Sequence, residues 1–442
     1  MIASPAVRLR RAGCRLIFGR EMDAANAAHW ATQWASPRRV EGDQWDQVRE
    51  CVTYARRASP FYQARLDGLG VDQDLTRDAF RRIPPLSRQD VISSWTAIRS
   101  RHGGTGALGR RSGGSSGQSV VIPMDRATYC WYVAGTRRGL QWWGVDLTDR
   151  GAIILGAGAG GLRSLAVRAK DSVLNWLRQP VDERFDQRAP DVLDRLERFG
   201  PAFVYGYPSA VHRLARVIDG RPWRPKRPTK VIVLTGEPVY PYQRRGIERA
   251  FHCPVVEEYG NGELGSMAFQ CTEGALHITV ENVFLESVPL EPPVGGTGGR
   301  VLATQLRNRL FPLIRYETGD VGVVGAEPCR CGRGLPTIQV LGRTEEVLMG
   351  SDGAALARPS VERFLGAVPR SLQGRVQVVH PAPGRLVLRI ERDRDLREDL
   401  REPTAVAEGV FGRGWQIEAA AVDRLPRLRS GKLPYFLRTA AP

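Results

Sequence analysis

The sequence predicts an α/β core with a smaller α+β unit at its C-terminal end. Three observations carry this. Short apolar runs that stop at glycine turns alternate with helix-period segments between about residues 128 and 260, the pattern of a parallel sheet. Residues 277–283 and 300–304 then read as strands with no intervening helix, as in an antiparallel region. Beyond Gly342-Arg343 the pattern restarts as a hairpin, a helix and a third strand.

Taken in order, residues 20–100 read as helices. Trp45, Val48, Val52 and Ala55 recur at helical spacing, and Pro60 and Pro84-Pro85 break the pattern. Composition then shifts to glycine and serine over 101–119, and residues 120–122 follow as a short strand. The aromatic stretch 128–143 is helix-like. Residues 152–155 form a strand candidate before a glycine loop at 156–161, and 202–205, 231–234 and 255–259 are further strands. In the last hundred residues, 376–379 and 386–390 pair as a hairpin, a helix starts over 396–401, and 415–422 is the third strand.

Composition narrows the function classes. The 442 residues are 42% hydrophobic and 25% charged, an ordinary globular mix that excludes wholesale disorder, collagen-like repeats and a disulfide miniprotein. No apolar run reaches the ~18 residues of a membrane span. The net charge is +17, almost all from arginine, with lysine only at 170, 226, 230 and 432. No dense basic tract with interleaved aromatics stands out, so no nucleic-acid partner is expected. The basic stretch 1–20 lacks a secretory apolar core, and a cytoplasmic, reducing location is expected. The same stretch could lie on a membrane surface as a short amphipathic helix.

Several motifs could carry chemistry. Arg111-Ser112-Gly113-Gly114-Ser115-Ser116-Gly117-Gln118-Ser119 offers backbone N–H groups and hydroxyls to a polyphosphate, without the closing Gly-Lys-Ser/Thr of a Walker loop. By itself it reads equally as a flexible linker. Thr235-Gly236-Glu237, Glu258-Tyr259-Gly260-Asn261-Gly262-Glu263, Arg315-Tyr316-Glu317-Thr318-Gly319-Asp320, Gly342-Arg343-Thr344-Glu345-Glu346 and Ser430-Gly431-Lys432 follow downstream. Cys329 and Cys331 stand in a Gly/Pro loop, with Cys271 and His277 earlier. These four could close a tetrahedral zinc site, with His252 and Cys253 as alternative ligands and buried structural cysteine as the plain alternative. The stretch Trp131-Tyr132 reads as core, and Val239 and Tyr240 as pocket-lining candidates beside Tyr205-Gly206-Tyr207-Pro208.

In this order and spacing the motifs resemble the adenylate-forming (acyl-activating) superfamily, in the phenylacetate-CoA ligase family and its capsular-polysaccharide-associated relatives. Tyr54-Ala55-Arg56-Arg57-Ala58-Ser59-Pro60-Phe61-Tyr62 and Cys329-Arg330-Cys331-Gly332-Arg333-Gly334-Leu335-Pro336 extend the resemblance nearly end to end. It implies a large N-terminal domain, 1–342, with parallel and mixed sheets plus a β-barrel-like portion. A small mobile α+β domain, 343–442, would follow.

The implied function is ATP-dependent activation of a carboxylic acid, aromatic ones included, to an acyl-adenylate with release of pyrophosphate. Transfer to CoA or another thiol comes next. An amine acceptor and a degenerate nucleotide-binding scaffold are the alternatives. The resemblance assigns ATP contacts to Ser112, Gly114, Ser115, Ser116, Gly117, Gly236, Glu237, Glu258, Tyr259, Gly260, Asn261, Asp320 and Arg343. It puts Mg²⁺ at Glu263, the acyl pocket at Tyr205, Tyr207 and Gly236, and catalysis at Lys432, Glu263 and Arg343. A structural Zn²⁺ would fall on Cys271, His277, Cys329 and Cys331. Expected partners are a small carboxylic acid, then CoA, a carrier protein or an amine, with a homodimer also considered. Departures from the pattern are Gly113, Ser119, Gly262, Glu345, and the segment Leu348-Met349-Gly350-Ser351-Asp352-Gly353, which leans toward the capsular-polysaccharide branch.

Overall fold

The computed structural model describes residues 17–70, 75–101, 108–111, 120–156, 162–290, 298–325, 327–344, 348–353, 355–356, 358–392, 400–412, 414–428 and 430–438. The expected phosphate-loop residues Ser112, Gly114, Ser115, Ser116 and Gly117, residues 1–16 of the basic stretch 1–20, and Glu345 lie outside the described residues. The chain divides into two compact units. The first holds 1–147, 258–288 and 300–340, and the second 148–257, 289–299 and 341–442.

In the first unit the expected helices form for local reasons. Ser36 caps the helix Pro37–Ala58 by accepting from the Arg39 N–H, and Pro37 supplies the preset φ of a first helical residue. Val40, Val48, Val52 and Ala55 form its buried stripe. Ser59 ends that helix and caps the next, Pro60–Arg65. The helix Arg126–Gln141 starts on Asp125, whose carboxylate accepts from the Thr128 N–H at 2.7 Å. It packs against the strand Gly265–Gln270 at Gly139, where a Cβ would stand 2.2 Å from the Phe269 ring. The sheet runs Val283–Pro289, Gly299–Gln305, Tyr316–Gly325, Thr337–Arg343, Leu276–Ile278, Gly265–Gln270, Val255–Asn261. The single strand expected over 277–283 is instead a short strand and a turn, closed by the Asn282 N–H on the Thr279 carbonyl.

In the second unit four parallel strands run in the order Val231–Thr235, Phe203–Gly206, Gly151–Leu155, Trp176–Pro180. Ile154, Val204, Ile232 and Leu234 form a core with Phe185, Leu193, Leu196 and Leu214 from the flanking helices. Near-continuous apolar runs are what strands covered on both faces require. The C-terminal segment builds a four-stranded sheet, Gln416–Val422, Arg385–Glu391, Val376–Ala382, Phe436–Arg438, whose central hairpin is antiparallel as expected and whose edge strands are parallel. Tyr240 and Tyr242 pack into the core of that segment, with Phe364, Leu388, Phe411 and Tyr435. This shared core is why residues 341–442 group with 148–257.

No helix among the described residues is long and apolar enough to cross a membrane.

Candidate active site

In the first unit, one group of expected site residues gathers around the hairpin that joins Val255–Asn261 to Gly265–Gln270. A register shift falls between Tyr259 and Gly260. At Gly260 a Cβ would stand 2.3 Å from the Gly265 carbonyl oxygen, so only glycine lets the strands approach so closely. The Asn261 side chain accepts from the Leu264 N–H at 2.8 Å and closes the turn carrying Glu263. Glu263 is buried, and Arg88 donates to its Oε1 at 2.6 Å. The Tyr316 hydroxyl donates to the same oxygen at 3.4 Å, and burial beside Glu263 pushes that hydroxyl well above its usual range. Removing either member of such a pair costs on the order of 3–5 kcal/mol, because the other charge is left buried.

Tyr259 and Asp320 are both expected ATP contacts. The Tyr259 hydroxyl donates to Asp320 Oδ2 at 2.7 Å, so the two residues meet directly. The Asp320 N–H is held by Thr318 Oγ1 at 3.1 Å. Glu258 is buried and accepts from the Thr136 hydroxyl at 3.0 Å.

A second group lies in the same unit. One ligand atom each from Cys271, His277, Cys329 and Cys331 falls within 4.8 Å of the other three. The Cys271 and Cys329 sulfurs are 3.7 Å apart, too far for a disulfide. With Zn–S near 2.3 Å, two sulfurs of a tetrahedral site lie about 3.8 Å apart, so the spacing fits a metal. His277 Nε2 is 3.2 Å from Cys331 Sγ, and its Nδ1 donates to the Leu335 carbonyl at 2.9 Å. That second contact fixes the tautomer and aims the Nε2 lone pair at the cluster. Burial holds His277 below its ordinary pKa, and hydrogen bonds from Arg333 help pull the Cys331 thiol below its own. The alternative ligands do not join. His252 is an exposed left-handed helix cap with φ +53°, and Cys253 is in the apolar core, its thiol pushed up to about 12 by burial.

The third group forms in the second unit, at the C-terminal ends of the parallel strands, where doubly wound sheets bind ligands. Gly236 adopts φ +77°. A Cβ there would stand 3.0 Å from the Tyr207 ring and 3.3 Å from Lys432 Nζ. The ammonium is 5.7 Å from the Tyr207 ring centre. Burial and the nearby Glu237 push the Tyr207 hydroxyl up to about 12. The helix Pro208–Asp219 has no cap from its own Tyr207. Glu237 supplies it, accepting from the Ser209 N–H at 2.9 Å and the Ser209 hydroxyl at 3.0 Å. Glu237 also accepts from the Leu433 N–H at 2.7 Å. Burial raises its pKa against these donors.

Tyr205 is half-buried on the strand Phe203–Gly206, and Arg343 half-buried at the end of Thr337–Arg343. Tyr240 is core, as is Tyr132, whose hydroxyl accepts from Gln305 at 2.7 Å. Sequence reading missed Arg88, Thr136, Ser209, Leu335 and Arg427. Only Leu335 belongs to a quoted motif, where its backbone carbonyl gives no sequence signal, and each acts on a partner distant in the chain.

No family model matches the chain. It is 25% identical to phenylacetate-coenzyme A ligase of Thermus thermophilus over 346 residues, 74% of this chain and 75% of that protein. It is 21% identical to Protein CapK of Staphylococcus aureus over 285 residues, 63% of this chain and 61% of that protein. Among solved structures it shares the fold of 2-hydroxyisobutyryl-CoA ligase in the postadenylation state, captured with an acyl-AMP, at TM-score 0.73 and 17% identity. That match covers 92% of this chain and 91% of the other. These likenesses support the adenylate-forming superfamily, in its phenylacetate-CoA ligase-like branch.

Proposed function

We propose that the chain uses ATP to convert a small carboxylic acid to an acyl-adenylate, releasing pyrophosphate, and passes the acyl group to CoA. The observation that carries this is the Lys432 ammonium seated over the Gly236 turn at the strand ends, in a chain similar to a named CoA ligase. The carboxylate attacks the α-phosphorus, forming the mixed anhydride and expelling pyrophosphate. The CoA thiol, as thiolate, then attacks the acyl carbon and expels AMP. Lys432 stabilises negative charge developing between carboxylate and α-phosphate, a preorganised electrostatic role. Asp320 accepts the ribose hydroxyls, and the Tyr259 hydroxyl bond fixes its rotamer. The Gly236 turn and Tyr207 border the acyl group, with Tyr205 on the neighbouring strand. Glu258, Gly260, Asn261 and Glu237 shape the nucleotide and acyl borders rather than react.

Glu263 is the proposed Mg²⁺ residue. A carboxylate oxygen is a suitable hard donor, and the metal would share it with Arg88. The magnesium would neutralise phosphate charge when bound. Cys271, His277, Cys329 and Cys331 would hold a structural zinc, since four protein ligands leave no open position. The phosphate loop 112–117, a hinge at Arg343–Glu345 and a cytoplasmic location complete the reading. An amine acceptor is the second reading, favoured by the Asp352-Gly353 segment, whose form leans toward the capsular-polysaccharide branch rather than aryl-CoA ligases. A carrier-protein acceptor, a membrane contact through the basic N-terminal stretch and a homodimer would each be read by separate binding and sedimentation assays.

The test is ATP–pyrophosphate exchange across a panel of carboxylic acids, then mass spectrometry of products with CoA or amines added. Exchange with one acid class and a CoA thioester product supports the reading. An amide product moves it to the second reading, and no exchange with any acid rejects both.

A further inference from the structure

Arg427 lies outside every motif that pointed to the function, yet its side chain is 7% exposed and its guanidinium reaches three elements. Nη2 donates to Asp186 Oδ1 at 3.1 Å, in the first turn of the helix Phe185–Phe199. Nη1 donates to Ser209 Oγ at 3.3 Å, in the first turn of Pro208–Asp219, and to the Gly431 carbonyl at 3.1 Å. That carbonyl directly precedes Lys432. The turn is closed on itself by the Gly431 N–H on the Leu428 carbonyl at 2.8 Å and the Leu428 N–H on the Lys432 carbonyl at 2.9 Å. Gly431 has φ +84°, and a Cβ there would stand 2.2 Å from the Val181 carbonyl, so the turn lies flat against the chain. On the other side of Lys432, the Leu433 N–H is held by Glu237. Both peptide groups that flank Lys432 are therefore anchored.

We propose that Arg427, oriented by Asp186, is the positioning residue that seats the Lys432 turn for the first half-reaction and lets it go for the second. The inference rests on Lys432 acting in adenylation. The planar fork explains why arginine stands here: it can satisfy a carboxylate, a hydroxyl and a carbonyl at once, which an ammonium on a flexible stem does not do in fixed geometry. The hydrogen bonds that anchor the turn run through the side chains of Arg427 and Glu237, and no covalent or metal link joins the turn to the helices among the described residues. Such a seat can be left and regained within a catalytic cycle.

Two readouts test it, one kinetic and one chemical. A misplacement of about 1 Å can cost about a hundredfold, so Arg427→Ala should lower ATP–pyrophosphate exchange about 30- to 100-fold, while acyl transfer from supplied acyl-adenylate changes by less than about threefold. Arg427→Lys should fall between the variant and the native protein, and Asp186→Asn should lower exchange while leaving transfer intact. Independently of activity, a lysine-acylating reagent followed by mass spectrometry should modify Lys432 several-fold faster in Arg427→Ala, with Lys226 and Lys230 as internal references.

Equal loss in both half-reactions, or unchanged exchange, overturns the proposal, as does an unchanged Lys432 labelling rate. If Arg427→Ala does not fold, the same outcomes are read from Arg427→Lys and Asp186→Asn. A parallel Lys432→Ala separates the two ideas. If it leaves exchange intact, the adenylation reading of Lys432 fails, whereas lost exchange in Lys432→Ala beside native exchange in the Arg427 variants fails the seat alone.

Discussion

In the cysteine–histidine cluster, two short segments 58 residues apart meet and orient one another's donors. The loop at Cys329–Cys331 turns at Gly332 with φ +77°, and the Leu335 carbonyl orients His277. The Lys432 turn instead borrows its anchors from Asp186, Ser209 and Glu237, 195 to 246 residues earlier in the chain. A closed set of soft ligands contributes to stability, because metal binding free energy is folding free energy where no site preforms in the unfolded chain. A charged group on a reversibly anchored turn contributes to turnover, since only contacts stronger in the transition state raise the rate. The difference teaches that long-range assembly by itself does not mark a catalytic site. What distinguishes the two regions is whether the groups close on one another or on a partner not yet bound.

The largest effect should fall on the lysine. Lys432→Ala removes a preorganised charge and should cut pyrophosphate exchange by about a hundredfold or more, with little change in transfer from supplied acyl-adenylate. Equal loss of both would erase the contrast drawn here. Next comes the metal centre. Cys329→Ser should abolish about one bound zinc per chain, read by metal analysis, and lower the melting temperature by roughly 5 °C or more. Acid should do the same, because His277 must be neutral to ligate: holding its pKa down keeps the lone pair available at neutral pH, and protonation as pH falls releases the metal. Metal-free protein of unchanged stability would show that this region is ordinary core.

Gly236→Ala should come third. At φ +77° a side chain costs about 1–2 kcal/mol, and the added Cβ meets Tyr207 and Lys432, so exchange should drop about tenfold with a smaller loss of stability. The smallest effect should be Tyr259→Phe. Losing one hydrogen bond to the Asp320 carboxylate should raise the KM for ATP by about three- to tenfold and leave kcat near native. A fall in kcat with unchanged KM would move Tyr259 from nucleotide positioning into the chemistry.

Much of this was legible in the chain. Val231–Thr235 and Gly151–Leu155 announce themselves as apolar runs that stop at glycine, and the hairpin over 376–390 as alternation around a turn. Strands such as Gly265–Gln270, Tyr316–Gly325 and Thr337–Arg343 were not read from the sequence, and Trp176–Pro180 and Phe436–Arg438 gave the weakest signal. Trp176–Pro180 contains arginine, glutamine and proline, and Phe436–Arg438 is only three residues long. Both lie at sheet edges, where one partner is enough and the apolar signal is weak. Tyr240 reads as a pocket residue beside Gly236, but its ring meets Tyr435 edge-on at 5.5 Å, a neighbour 195 residues away.

Residue identity set the kinds of groups available and their order: glycine turns at strand ends, the carboxylates Glu263 and Asp320, a C-terminal lysine, and the three cysteines and one histidine of the candidate metal cluster. Those follow from local rules of backbone freedom and residue chemistry, which act over a few residues. What each group faces is a matter of packing. Packing gave Glu263 the guanidinium of Arg88, gave Asp320 the hydroxyl of Tyr259, turned Glu237 into the cap of a helix and the anchor of Leu433, and put Arg427 behind Lys432. The physical reason is that a buried polar group must find a partner wherever packing brings one within about 3 Å, and packing is indifferent to separation along the chain.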